Sequence, residues 1–280
     1  MSKFKASVIL ATYNWPEALA LVLSGLVTQT EKNFEVVIAD DGSEEATKKV
    51  ITKYQARNIF SIKHLWQENK GFRKCRILNQ AIAASRGEVL VFLDGDCVPH
   101  RDYIKYHLHL QGNFSYVAGR RADLSKEYTK WLTPERIELG ALNGRNILYQ
   151  MKLLWDCLRP EGSRPFHRTY LVKPKAIRYL FGFEKVTDMK GCNFSIARDD
   201  MMAINGFDER YEGYGREDTD VELRLQNLGL KIKSAKNLCL QYHLWHEPRT
   251  FTVRNETLLD ETKTSKRIRA LRGLKEGNLL

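Results

Sequence analysis

Asp94 and Asp96, separated by Gly95, close the apolar run Val89 to Leu93 within the stretch EVLVFLDGDC. Two carboxylates at that spacing can reach one hard cation, which takes oxygen ligands, and a cation held there suits diphosphate chemistry. Asp-Gly-Asp is equally an ordinary tight turn, since Gly and Asp favour turns for backbone reasons. Other acids are grouped too. Asp40-Asp41-Gly42-Ser43 follows a second apolar run, and Glu217-Asp218 with Asp220 opens a helical pattern. Acids in a first helical turn are expected for stability alone. His243 and His246 follow the final strand pattern, where a lone histidine is unremarkable.

The elements that must present these groups alternate. Val89–Leu93, like Ser7–Ala11 and Phe34–Ala39, reads as a strand buried on both faces, and Ile59–Trp66 as a weaker one. Between them fall helical patterns. The first is opened by Trp15-Pro16-Glu17, with Asn14 the expected N-cap. The second starts at Ser43, and the third covers about Arg73 to Ser85. Strands alternating with helices predict an α/β fold with a mostly parallel, Rossmann-like sheet and flanking helices. In such a sheet Thr12-Tyr13-Asn14, Asp40-Asp41 and Asp94-Gly95-Asp96 share one edge, where open α/β sheets bind ligands.

The second half is less regular. A short helix over Arg101–Leu110 and a strand over Tyr116–Gly119 precede a basic, aromatic stretch from about 120 to 190. It reads as a helical insertion forming one wall of the site. A strand at Gly191–Ala197, a helix capped by Asp199-Asp200, the helix containing Val221, Leu223, Leu225 and Leu228, and a strand at Leu238–Tyr242 complete the pattern. Tyr211, Tyr214 and Trp245 are candidates for apolar contacts with a ligand. Asp220, two residues beyond Asp218, is assigned a structural role.

Five scattered cysteines without CxxC spacing suit reduced thiols in a cytosolic protein. The apolar N-terminal stretch is too short for a signal peptide, and no run reaches the roughly 18 apolar residues of a membrane span. The net charge of +11 calls for a polyanionic partner: nucleic acid, an anionic lipid surface or a phosphorylated small molecule.

Taken together and in order, Thr12-Tyr13-Asn14, Asp40-Asp41-Gly42-Ser43, Asp94-Gly95-Asp96 and Glu217-Asp218 resemble the inverting nucleotide-sugar glycosyltransferases of family 2, which have the GT-A fold. Gly206-Phe207-Asp208-Glu209, Tyr214 to Asp220 and His243-Leu244-Trp245-His246 are similar to the galactosyltransferase-type C-terminal module, found also in chondroitin-polymerase-like and lipooligosaccharide enzymes. The likeness spans residues 6 to about 250 and thins between about 120 and 190. It implies a nucleotide-sugar-binding half at 1–120, an acceptor-side insertion at 121–190, a catalytic and metal-binding half at 191–250 and a basic tail at 251–280.

By that resemblance, Asp41, with Thr12, Tyr13, Asn14 and Asp40, holds the uracil and ribose of a UDP-sugar. Asp94 with Gly95 contacts the ribose or donor sugar, and Asp96 binds Mn²⁺ or Mg²⁺ with His246 and His243. Asp218 is the catalytic base, and Glu217 orients hydroxyls. Leu78-Asn79 stands where family members often carry Arg-Asn, and Arg73 or Arg76 is expected to supply that cation. The implied activity is inverting transfer of a hexose or N-acetylhexosamine to a cell-envelope glycan or glycolipid by a cytoplasmic enzyme, peripheral on an anionic inner membrane face. A sugar-phosphate nucleotidyltransferase would carry a glycine-rich basic loop after the first strand, unlike Thr12-Tyr13-Asn14-Trp15-Pro16. A nucleic-acid binder would interleave basic and aromatic residues on one face, whereas here acids gather at strand ends, so no nucleic-acid partner is expected.

Overall fold

A computed structural model describes residues 4–275 apart from 187, 249 and 251. Of the basic tail, 251 and 276–280 therefore lie outside the described residues, as do 1–3 of the N-terminal stretch. Four strands, β1 (Phe4–Thr12), β2 (Phe34–Asp40), β3 (Ser61–Trp66) and β4 (Gly87–Asp94), are mutually parallel in the order β3-β2-β1-β4. After β5 (Cys97–Pro99), β6 (Ser115–Ala118) and β7 (Arg121–Asp123), the sheet continues through β8 (Asn193–Ala197), antiparallel to both β4 and β6, and ends on β9 (Lys231–Ser234).

The central strands are apolar along their length because both faces are covered. On β4, Val89, Val91 and Leu93 join one core cluster with Leu19, Val22 and Leu26 of helix α1 (Pro16–Val27). Leu90 and Phe92 join the other, with Cys75, Leu78 and Ile82 of α3 (Lys74–Ala84). Phe92 stacks on Phe194 of β8 at 4.2 Å. Each such fully buried side chain contributes about 1.5–3 kcal/mol. Helix α2 (Glu45–Ala56) lies between α3 and α1 in the chain and presents Thr47, Ile51 and Tyr54 to the core.

A second sheet is made of three-residue strands in the order β5-β10-β7, with β10 (Gln241–His243) antiparallel to β5 and parallel to β7. The 121–190 stretch carries four short helices, α5 (Lys126–Trp131), α6 (Pro134–Glu138), α7 (Ile147–Leu158) and α8 (Lys175–Leu180), joined by longer irregular segments, after α4 (Tyr103–Leu110). It is not purely helical: β7 ties it into the small sheet. After α9 (Arg198–Ala203), α10 (Glu217–Asn227) and α11 (Val253–Ser265) pack on each other through Asp220, whose carboxylate pairs with buried Arg224 at 2.8 Å and accepts from Thr262 at 2.7 Å.

Several local expectations are corrected. Asn14 does not cap α1; it sits at φ 43° and its Oδ1 accepts the Glu44 N–H at 2.8 Å, so it braces the neighbouring turn. Asp199 and Asp200 occupy the first turn of α9, behind Ala197 as N-cap. The final strand starts at Gln241, not Leu238. The five cysteines are free thiols.

Candidate active site

The chain winds outward from β1 through β2 to β3, then returns to the other side of β1 to form β4. The strand order therefore reverses between β1 and β4, and a crevice opens at their carboxyl ends, as in other doubly wound sheets. Ala11 pairs with Asp94 there, and the Gly95 N–H donates to the Ala11 carbonyl at 2.7 Å. Gly95 is required by this approach: a Cβ would lie 2.8 Å from that carbonyl oxygen and 3.2 Å from Thr12 Oγ1.

A cavity of about 120 Å³ fills the crevice, lined among others by Thr12, Tyr13, Asp41, Phe72, Asp94, Asp96, His243 and His246. Asp41 accepts from Gln67 Nε2 at 2.5 Å and from the Arg73 N–H at 2.8 Å. Burial nonetheless raises its pKa. Tyr13 is half-exposed, with its hydroxyl accepting from Asn69 at 3.0 Å.

The small sheet brings together the three expected metal ligands. His243 is in register with Cys97 on one side and Asp123 on the other, and the Leu244 N–H donates to the Asp96 carbonyl at 2.8 Å. Ligand atoms of Asp96, His243 and His246 consequently all lie within 4.8 Å of one another. Asp96 Oδ2 is 3.4 Å from His246 Nε2 and 3.7 Å from His243 Nε2, and the two imidazole nitrogens are 3.1 Å apart. Asp123 holds His243 Nδ1 at 3.1 Å, which aims Nε2 inward, the carboxylate–histidine arrangement common behind metal ligands. Burial alone would raise Asp96, but both imidazoles hold its carboxyl well below the usual range. Burial likewise opposes a charged His243, yet Asp123 and Asp96 outweigh it and lift its pKa to about 9. One carboxylate and two imidazoles whose ligand atoms converge form a mixed oxygen and nitrogen donor set that fits a divalent cation.

A larger cavity of about 560 Å³ adjoins the first and shares Lys74, Asp94, Arg121, Tyr214 and Glu217 with it. Asp218 lines only this second space, with its Oδ2 accepting the Gly191 N–H at 3.1 Å and Oδ1 accepting the Thr219 N–H at 2.8 Å. Arg216 at φ 76° makes the turn that brings both acids to the start of α10. Glu217 stands at the junction; its Oε2 is buried without a hydrogen-bond partner, and burial, aided by Asp218 against Lys74, raises its pKa.

Not every expected residue reaches the site. Asp40 does not line either cavity, because its carboxylate is consumed by the Ser43 N–H at 2.8 Å and His64 at 2.9 Å. Asn14 and Arg76 are also absent from both linings, Asn14 being committed to the Glu44 turn. The cation that meets Asp94 is Lys74, whose Nζ donates to it at 2.8 Å, rather than Arg73 or Arg76. Burial would lower Lys74, but Asp94 and Glu217 hold its pKa above the usual lysine range. Tyr211 belongs to the core, and Trp245 lies under Lys126 rather than in either cavity. Lys74, Arg121 and Asp123 were missed by sequence reasoning. A lone lysine at a helix start and a charged pair in an irregular stretch offer no spacing signal.

A mostly parallel α/β sheet with an acidic, histidine-flanked crevice at its switch point is a setting in which nucleotides and divalent cations bind. The sequence matches glycosyl transferase family 2 over residues 7–200, and a second family, described as the N-terminal domain of galactosyltransferase, over residues 177–247. The chain therefore belongs to glycosyl transferase family 2. It is 29% identical to the uncharacterized glycosyltransferase YfnE of Bacillus subtilis (strain 168), over 84% of this chain and 63% of that protein. It is 22% identical to a chondroitin synthase of Escherichia coli, over 85% of this chain and 34% of that protein. The chain thus spans between about a third and just under two thirds of the length of these two relatives. S. aureus TarS 1–349, solved in complex with UDP, superposes with a TM-score of 0.60 at 16% identity, over 98% of this chain and 69% of that one. The architecture is the GT-A fold.

Proposed function

We propose that this chain transfers a hexose or N-acetylhexosamine, with inversion, from a UDP-sugar to a hydroxyl of a cell-envelope glycan, from the cytoplasmic side and in peripheral association with an anionic membrane. The observation that carries the reading is the meeting of Asp96, His243 and His246 within 4.8 Å, beside the crevice at the β1–β4 switch point and next to a second cavity lined by Asp218. In this reading 1–120 and 191–250 supply donor and catalytic groups, and 121–190 supplies the acceptor wall. UDP is the ligand of the structurally similar TarS complex.

Asp41 and Thr12 face the uridine, with Phe72 and Ile77 providing apolar wall. Asp94, fixed by Lys74, faces the ribose or donor sugar. Asp96, His246 and His243 would hold the Mn²⁺ or Mg²⁺, which supplies Lewis-acid stabilisation of the departing diphosphate. Asp218 accepts the proton of the attacking hydroxyl from the acceptor cavity, across the sugar from the leaving group, so a single displacement inverts the anomeric carbon. Glu217 offers its unpartnered Oε2 to a sugar hydroxyl at the junction. Tyr13 lines the donor crevice together with Gly95, which also sets its shape by its close approach to β1, whereas Asn14 and Asp40 act through their turns and Arg76 lines neither cavity.

The test is calorimetric titration of UDP into the protein with Mn²⁺, with EDTA and with Asp96→Ala. Binding that requires both the metal and Asp96 is expected. UDP binding indifferent to both would overturn the metal assignment, and no UDP binding would overturn the donor.

A further inference from the structure

The 121–190 insertion carries a face that the site does not use. On α7, Ile147, Leu148, Met151, Leu154, Trp155 and Leu158 are each between 42% and 71% exposed. At 3.6 residues per turn their positions fall within an arc of about 120°, unbroken from the first turn to the last. Exposed Lys152 and Arg159 border the arc on one side. The opposite side is fastened to the protein: Leu153 is buried, and the Asp156 carboxylate accepts from Ser125 Oγ at 2.8 Å and from the Ser163 N–H at 3.0 Å. A second exposed apolar group, Tyr179, Leu180 and Phe181, follows on and after α8 at 65–78% exposure. Scattered apolar side chains on a surface need no explanation, but a contiguous stripe marks an interaction face.

Charge identifies the occupant. Residues 120–190 hold fifteen Lys and Arg against eight Asp and Glu, a net +7 of the chain's +11. Pairing this face with a second copy would bring two net-positive insertions together. An anionic bilayer answers both features, because apolar side chains enter the headgroup–acyl boundary while cations remain among the headgroups. Trp155 and Tyr179 are the residue types that settle at that boundary. With 12 residues, α7 is too short to span the membrane and suits lying in its plane.

We propose that α7 is an in-plane docking helix for an anionic lipid surface. This deepens the peripheral membrane association put forward above and rests on that part of the reading, not on the chemistry. Asp156 latches α7 to Ser125, two residues beyond β7, which carries Arg121 and Asp123 into the larger cavity. Docking through α7 therefore orients the acceptor-side cavity relative to the bilayer, as a lipid-linked acceptor requires.

The test is co-sedimentation of the full chain with vesicles of phosphatidylcholine alone or with phosphatidylglycerol, comparing wild type, the double variant Leu148→Glu/Trp155→Glu and the control Val253→Glu. Val253 is 83% exposed and lies outside the insertion. Wild type and control are expected to sediment with phosphatidylglycerol vesicles and the double variant about tenfold less, with UDP affinity and melting temperature unchanged. If wild type ignores both vesicle types, membrane association fails while the transferase reading stands. If the double variant binds like wild type, the assignment to α7 is wrong. If light scattering shows a wild-type dimer that the double variant dissolves, the stripe is a self-interface and the proposal is overturned.

Discussion

Gly95→Ala is the smallest perturbation that should disable the crevice. The added Cβ would stand 2.8 Å from the Ala11 carbonyl oxygen, 3.2 Å from Thr12 Oγ1 and 3.3 Å from Thr12 Cβ. An unstrained carbon-to-oxygen contact needs roughly half an ångström more. β1 cannot yield that distance cheaply, because it is paired on both sides, with β2 and with β4, along most of its length. The 95–96 turn must move instead, and the Gly95 N–H to Ala11 bond at 2.7 Å is strained with it. Overpacking of this kind costs about 1–3 kcal/mol, which for a chain of this size lowers the melting temperature by roughly 2–10 °C. The functional cost is larger in proportion, since Asp94 and Asp96 flank the displaced residue. A shift of about half an ångström at reacting groups should reduce turnover roughly tenfold. Thermal melting and a donor-hydrolysis or transfer assay on the same preparation measure both. Wild-type melting together with wild-type turnover would refute the argument that the β1–β4 contact sets the position of the two acids.

Asp218→Asn should keep metal-dependent UDP affinity and lose about 10²–10⁴ in kcat, because it removes only the proton acceptor; near-normal turnover in a folded variant would exclude it as the base. Asp220→Ala should behave oppositely, destabilising the protein by about 3–5 kcal/mol, since Arg224 would remain buried without its charge partner; denaturant unfolding distinguishes the two neighbours. His107, fully buried between Ser195 Oγ at 2.9 Å and Asn193 Oδ1 at 3.1 Å, has its pKa lowered to about 3 by burial. The unfolded chain then binds a proton that the folded one refuses. Stability should therefore fall as pH drops from about 6.5 toward 3, by about 1.4 kcal/mol per unit from this group, and His107→Gln should flatten the slope measured by chemical denaturation at successive pH values.

Strands β1, β2 and β4 were legible because a strand buried on both faces must be apolar at nearly every position, and three such runs, each ending in polar residues, imply a common edge. The acids at that edge, and the structural character of Asp220 two residues beyond Asp218, followed from position and helical phase alone. The family resemblance added His243 and His246 to Asp96, a grouping that strand periodicity could not have reached. What only the tertiary structure decided is how those groups meet. β5, β7 and β10 have three residues each, too few for a period-two pattern, yet their register sets His243 between Cys97 and Asp123 and brings Asp96 within reach. The same applies to the selection among candidates: Asp41 faces the crevice while Asp40 is spent on Ser43 and His64, and Lys74 rather than Arg73 or Arg76 meets Asp94. Local sequence dictates which residues form an element, because burial is read one side chain at a time. Which of two adjacent acids or cations faces a ligand depends on partners distant in the chain, and those are present only once the sheet has closed around them.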